Sequence, residues 1–231
     1  MRLSATRARA ARASVAVGAA LLALIMLPRP APDAPPFDPE RVPGSQVVWV
    51  TARAGASHAM LELWERDRLR EWRQTFAVSA RVGGEGISEH AREGSAYTPQ
   101  GIFPLTEGFG RRPAPATWLP YLTVGSSDTW WWVSDTESPY YNQRFRCAES
   151  ACPFDTAAGE NLGRTGEAYD YALVIDYNRA PVVPAAGSAF FLHVGTDGPT
   201  AGCVAVSADV MRSLLTTLHP DRRPVIGMYA H

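Results

Sequence analysis

Lysine is absent from this 231-residue chain: all 22 basic side chains are arginine, set against 23 acids for a formal net charge of -1. A chain so balanced offers no basic stripe to a phosphate backbone, so nucleic acid is not an expected partner. Cysteine is scarce, with three residues, too few for a disulfide-dense scaffold. Only one long uncharged apolar run exists, the 14 residues from Ser14 to Leu27, and a free-standing transmembrane helix needs about 20. Internal repeats are missing too. What is present is 46% hydrophobic residues, enough for the core of one domain of ordinary size or two small ones.

Arg2, Arg7, Arg9 and Arg12 precede the apolar run, which is the architecture of an export signal. Its cleavage signal is poor, because Arg29 and Pro32 stand two residues before Ala31 and Ala34, where small residues are wanted. Residues 1–27 are therefore expected to be a signal peptide or an uncleaved N-terminal membrane anchor, with the remainder outside in either case. No cysteine follows closely, so lipoprotein attachment is not expected. Residues 28–43, PRPAPDAPPFDPERVP, hold seven prolines and read as an extended linker. Residues 44–231 read as the folded domain.

Export permits disulfides, and Cys147 and Cys152 in RCAESACPF are expected to bridge each other around a short surface loop. A metal site is the alternative, but no histidine lies near them. Cys203 is left over, which suggests an intermolecular bridge or a free reactive thiol.

From Gly44 onward many short apolar runs are separated by Gly, Pro, Asp and Ser, the pattern of a mainly β protein. VVWV at 47–50 is one strand, and WRQTFAV at 72–78 places Trp72, Gln74, Phe76 and Val78 on one face. Leu61, Trp64, Leu69, Trp72 and Phe76 are also spaced acceptably for a helix, but a hairpin turning at 66–68 is the preferred reading. TWWWVS at 129–134 is a third strand; two of its three tryptophans are expected in the core, since adjacent strand residues face opposite ways. YDYALVIDYN alternates Tyr169, Tyr171, Leu173, Ile175 and Tyr177 against Asp170, Ala172, Val174, Asp176 and Asn178, which predicts a half-buried strand. One helix begins near Ser207, a good N-cap, with Met211, Leu214, Leu215 and Leu218 at helical spacing.

GSAFFLHV at 187–194 reads as a strand that delivers His193 at its end. A loop follows, and TAGC at 200–203 returns to a second short strand, Val204 to Val206. Two neighbouring strand ends can bring an imidazole and a thiol within hydrogen-bond reach. A thiol of pKa about 8.5 is only a few per cent thiolate at neutral pH, and an adjacent protonated histidine lowers that pKa by several units. His193 would then protonate a leaving amine, and the N–H groups of Gly202 and Cys203 could face the oxyanion. The other reading is a packed, inert pair on neighbouring apolar strands, with Cys203 a small buried hydrophobe. His58, His90, His219 and His231 lie in polar, loop-like or terminal contexts.

These segments, with EGSAYTPQGIFPL at 93–105, FG at 109–110, LPY at 119–121 and SPYYN at 138–142, resemble the L,D-transpeptidase catalytic domain family, also called YkuD-type. The resemblance runs from about Val47 to Met228. It implies a β-sandwich-like fold with one helix in its C-terminal region, no metal or cofactor, and a cell-wall location. It also implies an enzyme that acts on peptidoglycan stem peptides: a cysteine thiolate forms an acyl-enzyme with a stem tetrapeptide and passes it to an amine, giving a 3-3 cross-link. Carbapenems would be covalent inhibitors. By position, Cys203 is the nucleophile, His193 its base and acid, Val194 the source of a supporting backbone carbonyl, Gly202 the usual glycine, and Thr200 the hydroxyl three residues before the cysteine. A thiol hydrolase acting on the same bond and a silent wall-binding module remain alternatives. Two positions depart from the family pattern. Ala201 stands where many members have His, and Ala205 where many have Arg or Asn. Arg111, Arg112, Arg144, Arg146 and Arg179 are the candidates to hold a donor carboxylate instead.

Overall fold

The computed structural model describes residues 34–195 and 197–231, so the expected signal or anchor at 1–27 lies outside the described residues. Among the described residues fourteen strands are formed: β1 (Gln46–Ala52), β2 (His58–Arg66), β3 (Trp72–Arg81), β4 (Ile87–Ser88), β5 (Thr98–Pro99), β6 (Gly101–Gly110), β7 (Tyr121–Thr123), β8 (Trp130–Val133), β9 (Arg144–Arg146), β10 (Gly159–Asn161), β11 (Ala172–Ile175), β12 (Phe191–Val194), β13 (Val204–Val206) and β14 (Val225–Ala230). The one α-helix among the described residues, α1, spans Ala208–Thr217. The protein is mainly β, as its sequence pattern predicts.

The principal sheet runs β11-β12-β13-β3-β2-β1-β14-β6-β7, and β6 also pairs with β11. That extra pairing closes eight strands into a ring, so the sandwich-like core is a sheet folded back on itself, leaving few exposed edges. Inside lie Val48 and Val50 of β1, Leu61 and Leu63 of β2, Leu173, Leu192, Val204 and Ile226, with Met211, Leu214, Leu215 and Leu218 of the helix segment packed onto them. Ser207 caps α1, its side chain accepting from the Val210 N–H. A second core lies on the opposite face, where Phe109, Ala172, Val174 and Phe191 meet Val124, Trp132, Leu162 and Tyr169 from the excursion between β6 and β11. Within that excursion β10, β8 and β9 form a separate small sheet.

The two cores explain where the predicted half-buried strand at 169–178 differs. Only Ala172–Ile175 is extended, and all four residues are buried, because Leu173 and Ile175 face one core while Ala172 and Val174 face the other. Tyr169 belongs instead to a short 3-10 turn, Glu167–Tyr169. The hairpin of β2 and β3 forms, its turn lying at 67–71, just beyond the expected place. Trp131 and Trp132 are buried and Trp130 partly so.

The proline-rich segment is corrected at its C-terminal end. Phe37, only 7% exposed, packs its ring against Trp49, Trp64 and Trp72 at centroid distances of 5.1, 6.1 and 5.2 Å, and Val42 is buried in the same cluster. Two apolar side chains among the prolines give this stretch a reason to dock, which an extended spacer lacks. The packed domain therefore begins before residue 44.

Candidate active site

The site is built where β12 and β13 run parallel, with Leu192 opposite Val204 and His193 opposite Ala205. Alternation sends Leu192 and Val204 into the inner core and leaves Phe191, His193, Cys203 and Ala205 on the other face. Cys203, one residue before β13, thus sits beside Phe191 and diagonally from His193.

The TAGC turn is tied down by two threonines. The Thr200 hydroxyl donates to the Cys203 carbonyl at 2.6 Å and accepts from the Gly202 N–H at 3.1 Å. The Thr98 hydroxyl donates to the Gly202 carbonyl at 2.8 Å and accepts from the Gly83 N–H at 2.8 Å. Gly202 has φ of +140°, and a Cβ there would stand 2.6 Å from Phe190 Cε1 and 2.9 Å from the Tyr97 carbonyl oxygen, so the turn requires glycine. The Gly202 N–H, one of the two expected oxyanion donors, is occupied by the Thr200 hydroxyl.

Cys203 is a free thiol. Its Sγ lies 3.3 Å from the Ala189 carbonyl oxygen and 3.3 Å from the Phe191 N–H, donating to the first and accepting from the second. Among the described residues no hydrogen bond joins it to His193. The thiol is pushed up to about 12, first by burial and then by the Glu160 carboxylate, with the Phe191 N–H pulling weakly the other way. The expected lowering by an adjacent imidazolium is therefore corrected: the environment favours the neutral thiol.

His193 is neutral for a related reason. Burial holds its pKa below the usual imidazole value, against a smaller raising effect of the Val194 carbonyl. Its Nδ1 lies 2.9 Å from that carbonyl oxygen. A carbonyl can only accept, so Nδ1 carries the proton and Nε2 is left with a lone pair. Tyr169 stands edge-on to the imidazole at 5.8 Å, and its hydroxyl donates a hydrogen bond to the Glu160 carboxylate.

Cys203 opens onto a cleft of about 260 Å³ lined by Glu93, Ser134, Glu160, Ser188 and Ala201 among others. Glu93 accepts from the Ser188 hydroxyl at 2.8 Å and from the Tyr141 hydroxyl. Burial raises the Glu160 pKa, which the Tyr169 hydrogen bond partly offsets. The five arginines expected to hold a carboxylate are elsewhere. Arg111 and Arg112 pair with Asp170 at 3.6 and 3.0 Å; Arg144 and Arg179 pair with Glu107 at 3.0 and 2.9 Å; Arg146 lies over the Trp130 ring at 5.5 Å. Arg92 lines this cleft instead, and Arg81, on β3, stands opposite Ala205.

Sequence reasoning missed Asn142. It is 2% exposed and accepts from Trp132 Nε1 at 2.9 Å and from the Ala189 N–H at 3.2 Å, while donating to the Tyr177 and Asn178 carbonyls at 3.0 and 2.8 Å. It thereby fixes Ala189, whose carbonyl holds the thiol and whose φ is +56°. Its signal was the last residue of SPYYN, just as that of Glu93 was the first of EGSAYTPQGIFPL. Cys147 and Cys152 form a disulfide. Among the described residues no group of His, Cys, Asp and Glu is arranged to hold a metal ion, and no helix is long and apolar enough to cross a membrane.

The profile of the L,D-transpeptidase catalytic domain, YkuD, matches residues 47–226. The chain belongs to that family. The matched span contains Thr98, Asn142, Glu160, His193 and Cys203, so the whole arrangement described above lies inside the L,D-transpeptidase domain. No curated protein sequence matches the chain significantly. Among solved structures, the helical cell shape determining protein Pgp2 from Campylobacter jejuni is similar at 13% identity with a TM-score of 0.41, over 81% of this chain and 48% of that one. The chain thus spans about half the length of that protein.

Proposed function

We propose that this protein is a peptidoglycan L,D-transpeptidase that uses Cys203 as nucleophile and His193 as its base and acid. The observation that carries the reading is the neutral Cys203 thiol at a cleft, on the same sheet face as an imidazole whose Nδ1–H is fixed by the Val194 carbonyl. Sγ swings from Ala189 toward the carbonyl that follows the L-centre of the third residue of a stem tetrapeptide. His193 Nε2 takes the thiol proton as the C–S bond forms, and the Cys203 N–H faces the oxyanion. The C–N bond breaks, the leaving amine takes the proton from His193, and a thioester remains. An acceptor amine on a second stem then attacks; His193 removes its proton, the C–S bond breaks, and the proton returns to sulfur. Thr200 and Gly202 hold the turn in which the nucleophile sits. Residues 1–27 export the protein or anchor it at the membrane, placing the domain at the cell wall. The Cys147–Cys152 disulfide supports an oxidising compartment.

The test supplies disaccharide tetrapeptide and pentapeptide in parallel and weighs the products, with a carbapenem as a probe of acylation. Dimers that have lost the terminal D-residue are expected from the tetrapeptide, with poor use of the pentapeptide and no drug adduct on Cys203→Ala or His193→Ala. Tripeptide alone would make the protein a carboxypeptidase. Unchanged substrate with unmodified Cys203 would leave a silent wall-binding module, and a drug adduct on Cys203→Ala would mean another nucleophile.

A further inference from the structure

The turn of the β2–β3 hairpin carries Arg68, Leu69 and Arg70 at its tip. Asp67 shapes that turn, its carboxylate accepting from the Leu69 and Glu71 N–H groups at 2.8 and 3.0 Å and from Arg73 Nε at 3.1 Å. Leu69 is 78% exposed, the most exposed large apolar side chain among the described residues. A single exposed leucine is ordinary on a protein surface. Its surroundings are not. Beside the tip, five arginines and two aspartates, Asp67 and Asp221, line a cleft of about 310 Å³. This basic excess is local, because residues 44–231 together carry 16 arginines against 20 acids, a formal charge of -4.

Three separate segments build the cleft. Gly44 lies so close to the C-terminal turn that a Cβ there would stand 1.9 Å from the Arg223 carbonyl oxygen, and the Ser45 N–H donates to the Arg222 carbonyl at 2.8 Å. Arg222 is committed to this framework, pairing with Glu65 and donating to the Ser45 and Arg66 carbonyls at 3.0 and 2.9 Å. Arg66 lies over the Trp72 ring and donates to the Pro39 carbonyl at 3.1 Å. Arg68, Arg70 and Arg223 remain. All three are exposed, and their side chains form no ion pair or hydrogen bond among the described residues. Arg70 and Arg223 have φ of +68° and +46°, left-handed backbone that glycine or asparagine adopts more readily. Arginine at both positions points to a use for the side chain.

The N-terminal segment arrives at this same end of the domain. Pro43 and Gly44 line the cleft, and Phe37 packs on Trp72 at the base of the hairpin. Ten residues separate Phe37 from Leu27, the end of the apolar run, so an anchored run would hold this end within about 36 Å of the bilayer. Guanidinium groups bind phosphate oxygens through paired, charge-assisted hydrogen bonds, and an apolar side chain among cations suits the boundary between headgroups and acyl chains. We propose that the hairpin tip and Arg223 dock the domain on a bilayer of anionic phospholipid, with Leu69 entering the interface and Arg68, Arg70 and Arg223 holding lipid phosphates. The proposal is independent of the acyl-transfer reading, but it orients that site. The TAGC turn lies at the other end of β3, where Gly83 bridges Thr200, and the ten residues of β3 span about 30 Å. The docked domain holds Cys203 at its end away from the bilayer.

The test uses the full chain with isotope-labelled leucine methyl groups, placed in nanodiscs that carry a spin label on some headgroups, so the N-terminal run is the same in every sample. In phosphatidylglycerol discs the Leu69 methyl signals should fall to about a fifth or less of their intensity in phosphatidylcholine discs, the factor that one arginine contributes at an anionic surface. Arg68→Gln with Arg70→Gln should restore them, while the buried Leu173 and Leu192 signals stay in place and report an intact fold. Equal broadening in both kinds of disc, no broadening in either, or a double variant that broadens like wild type would each overturn the proposal. Soluble glycerol phosphate is titrated into the phosphatidylcholine discs as a separate arm. If it shifts the Leu69 methyls while phosphatidylglycerol discs leave them sharp, the arginines take a free phosphodiester, and the bilayer is the wrong partner.

Discussion

Replacing Asn142 by alanine removes four hydrogen bonds at once from a residue that is 2% exposed. Two donors are then stranded in the interior, Trp132 Nε1–H and the Ala189 N–H. Each unsatisfied buried group costs about 1–3 kcal/mol, and the vacated amide volume adds to that. The two carbonyls left behind lose less, because a carbonyl oxygen can accept twice. The expected loss is about 4 kcal/mol. With a urea m-value of about 2.5 kcal/mol per molar, the unfolding midpoint should fall by about 1.6 M. The site should respond as well. Ala189 is a non-glycine residue at φ +56°, a conformation that costs roughly 1–2 kcal/mol, and Asn142 is its tether. Freed, it relaxes toward negative φ and withdraws the carbonyl that holds the Cys203 S–H, so alkylation of Cys203 by iodoacetamide at fixed pH should quicken in protein that is still folded. A stability loss below about 1 kcal/mol, or an unchanged alkylation rate, would refute the reasoning.

Two further outcomes follow from the electrostatics of the same site. Glu160→Gln keeps an acceptor for the Tyr169 hydroxyl but removes the charge that, after burial, does most to raise the thiol; the pH midpoint of Cys203 alkylation should move down, and an unmoved profile would show that Glu160 does not act on the thiol. The folded-state pKa of His193 lies below its unfolded value of 6.5, so its contribution to stability is full above that value and is lost as pH falls through the folded one. Urea midpoints measured from pH 8 down to pH 5 should therefore fall less steeply for His193→Gln than for wild type, and parallel curves would refute the assignment.

Much of the fold was legible because its signals are local. The hairpin of β2 and β3 was written in alternation on either side of a charged turn, and α1 in a serine cap followed by apolar residues at helical spacing. Where local reading failed, a tertiary fact decided. The stretch at 169–178 alternates polar and apolar residues, yet β11 is buried on both faces because the closed sheet has a core on each side of it. Phe37 reads as one aromatic among prolines until three tryptophans from β1, β2 and β3 are seen to converge on it. Nothing in the spacing of those tryptophans announces the meeting.

The candidate site divides the same way. His193, Val194, Thr200, Gly202 and Cys203 fall within eleven consecutive residues, and the pairing of β12 with β13 needs only that window. Glu93, Asn142, Glu160 and Arg81 come from four other segments, and Arg81 reaches Ala205 only through an antiparallel pairing 124 positions apart in sequence. The sign of the thiol's pKa shift is a tertiary quantity as well. Sequence spacing can place an imidazole near a thiol, but burial decides that both rest neutral, with Glu160 adding to it at the thiol alone. A neutral pair cannot react merely by being near each other. In the proposed reaction the proton would leave sulfur as the C–S bond forms, and the thiol would first give up the Ala189 carbonyl. A donor filling the cleft beside Glu93 and Glu160 would exclude water and bring the electrophile to sulfur in the same event. On that proposal activation belongs to the bound complex, while the free protein keeps the Cys203 thiol protonated.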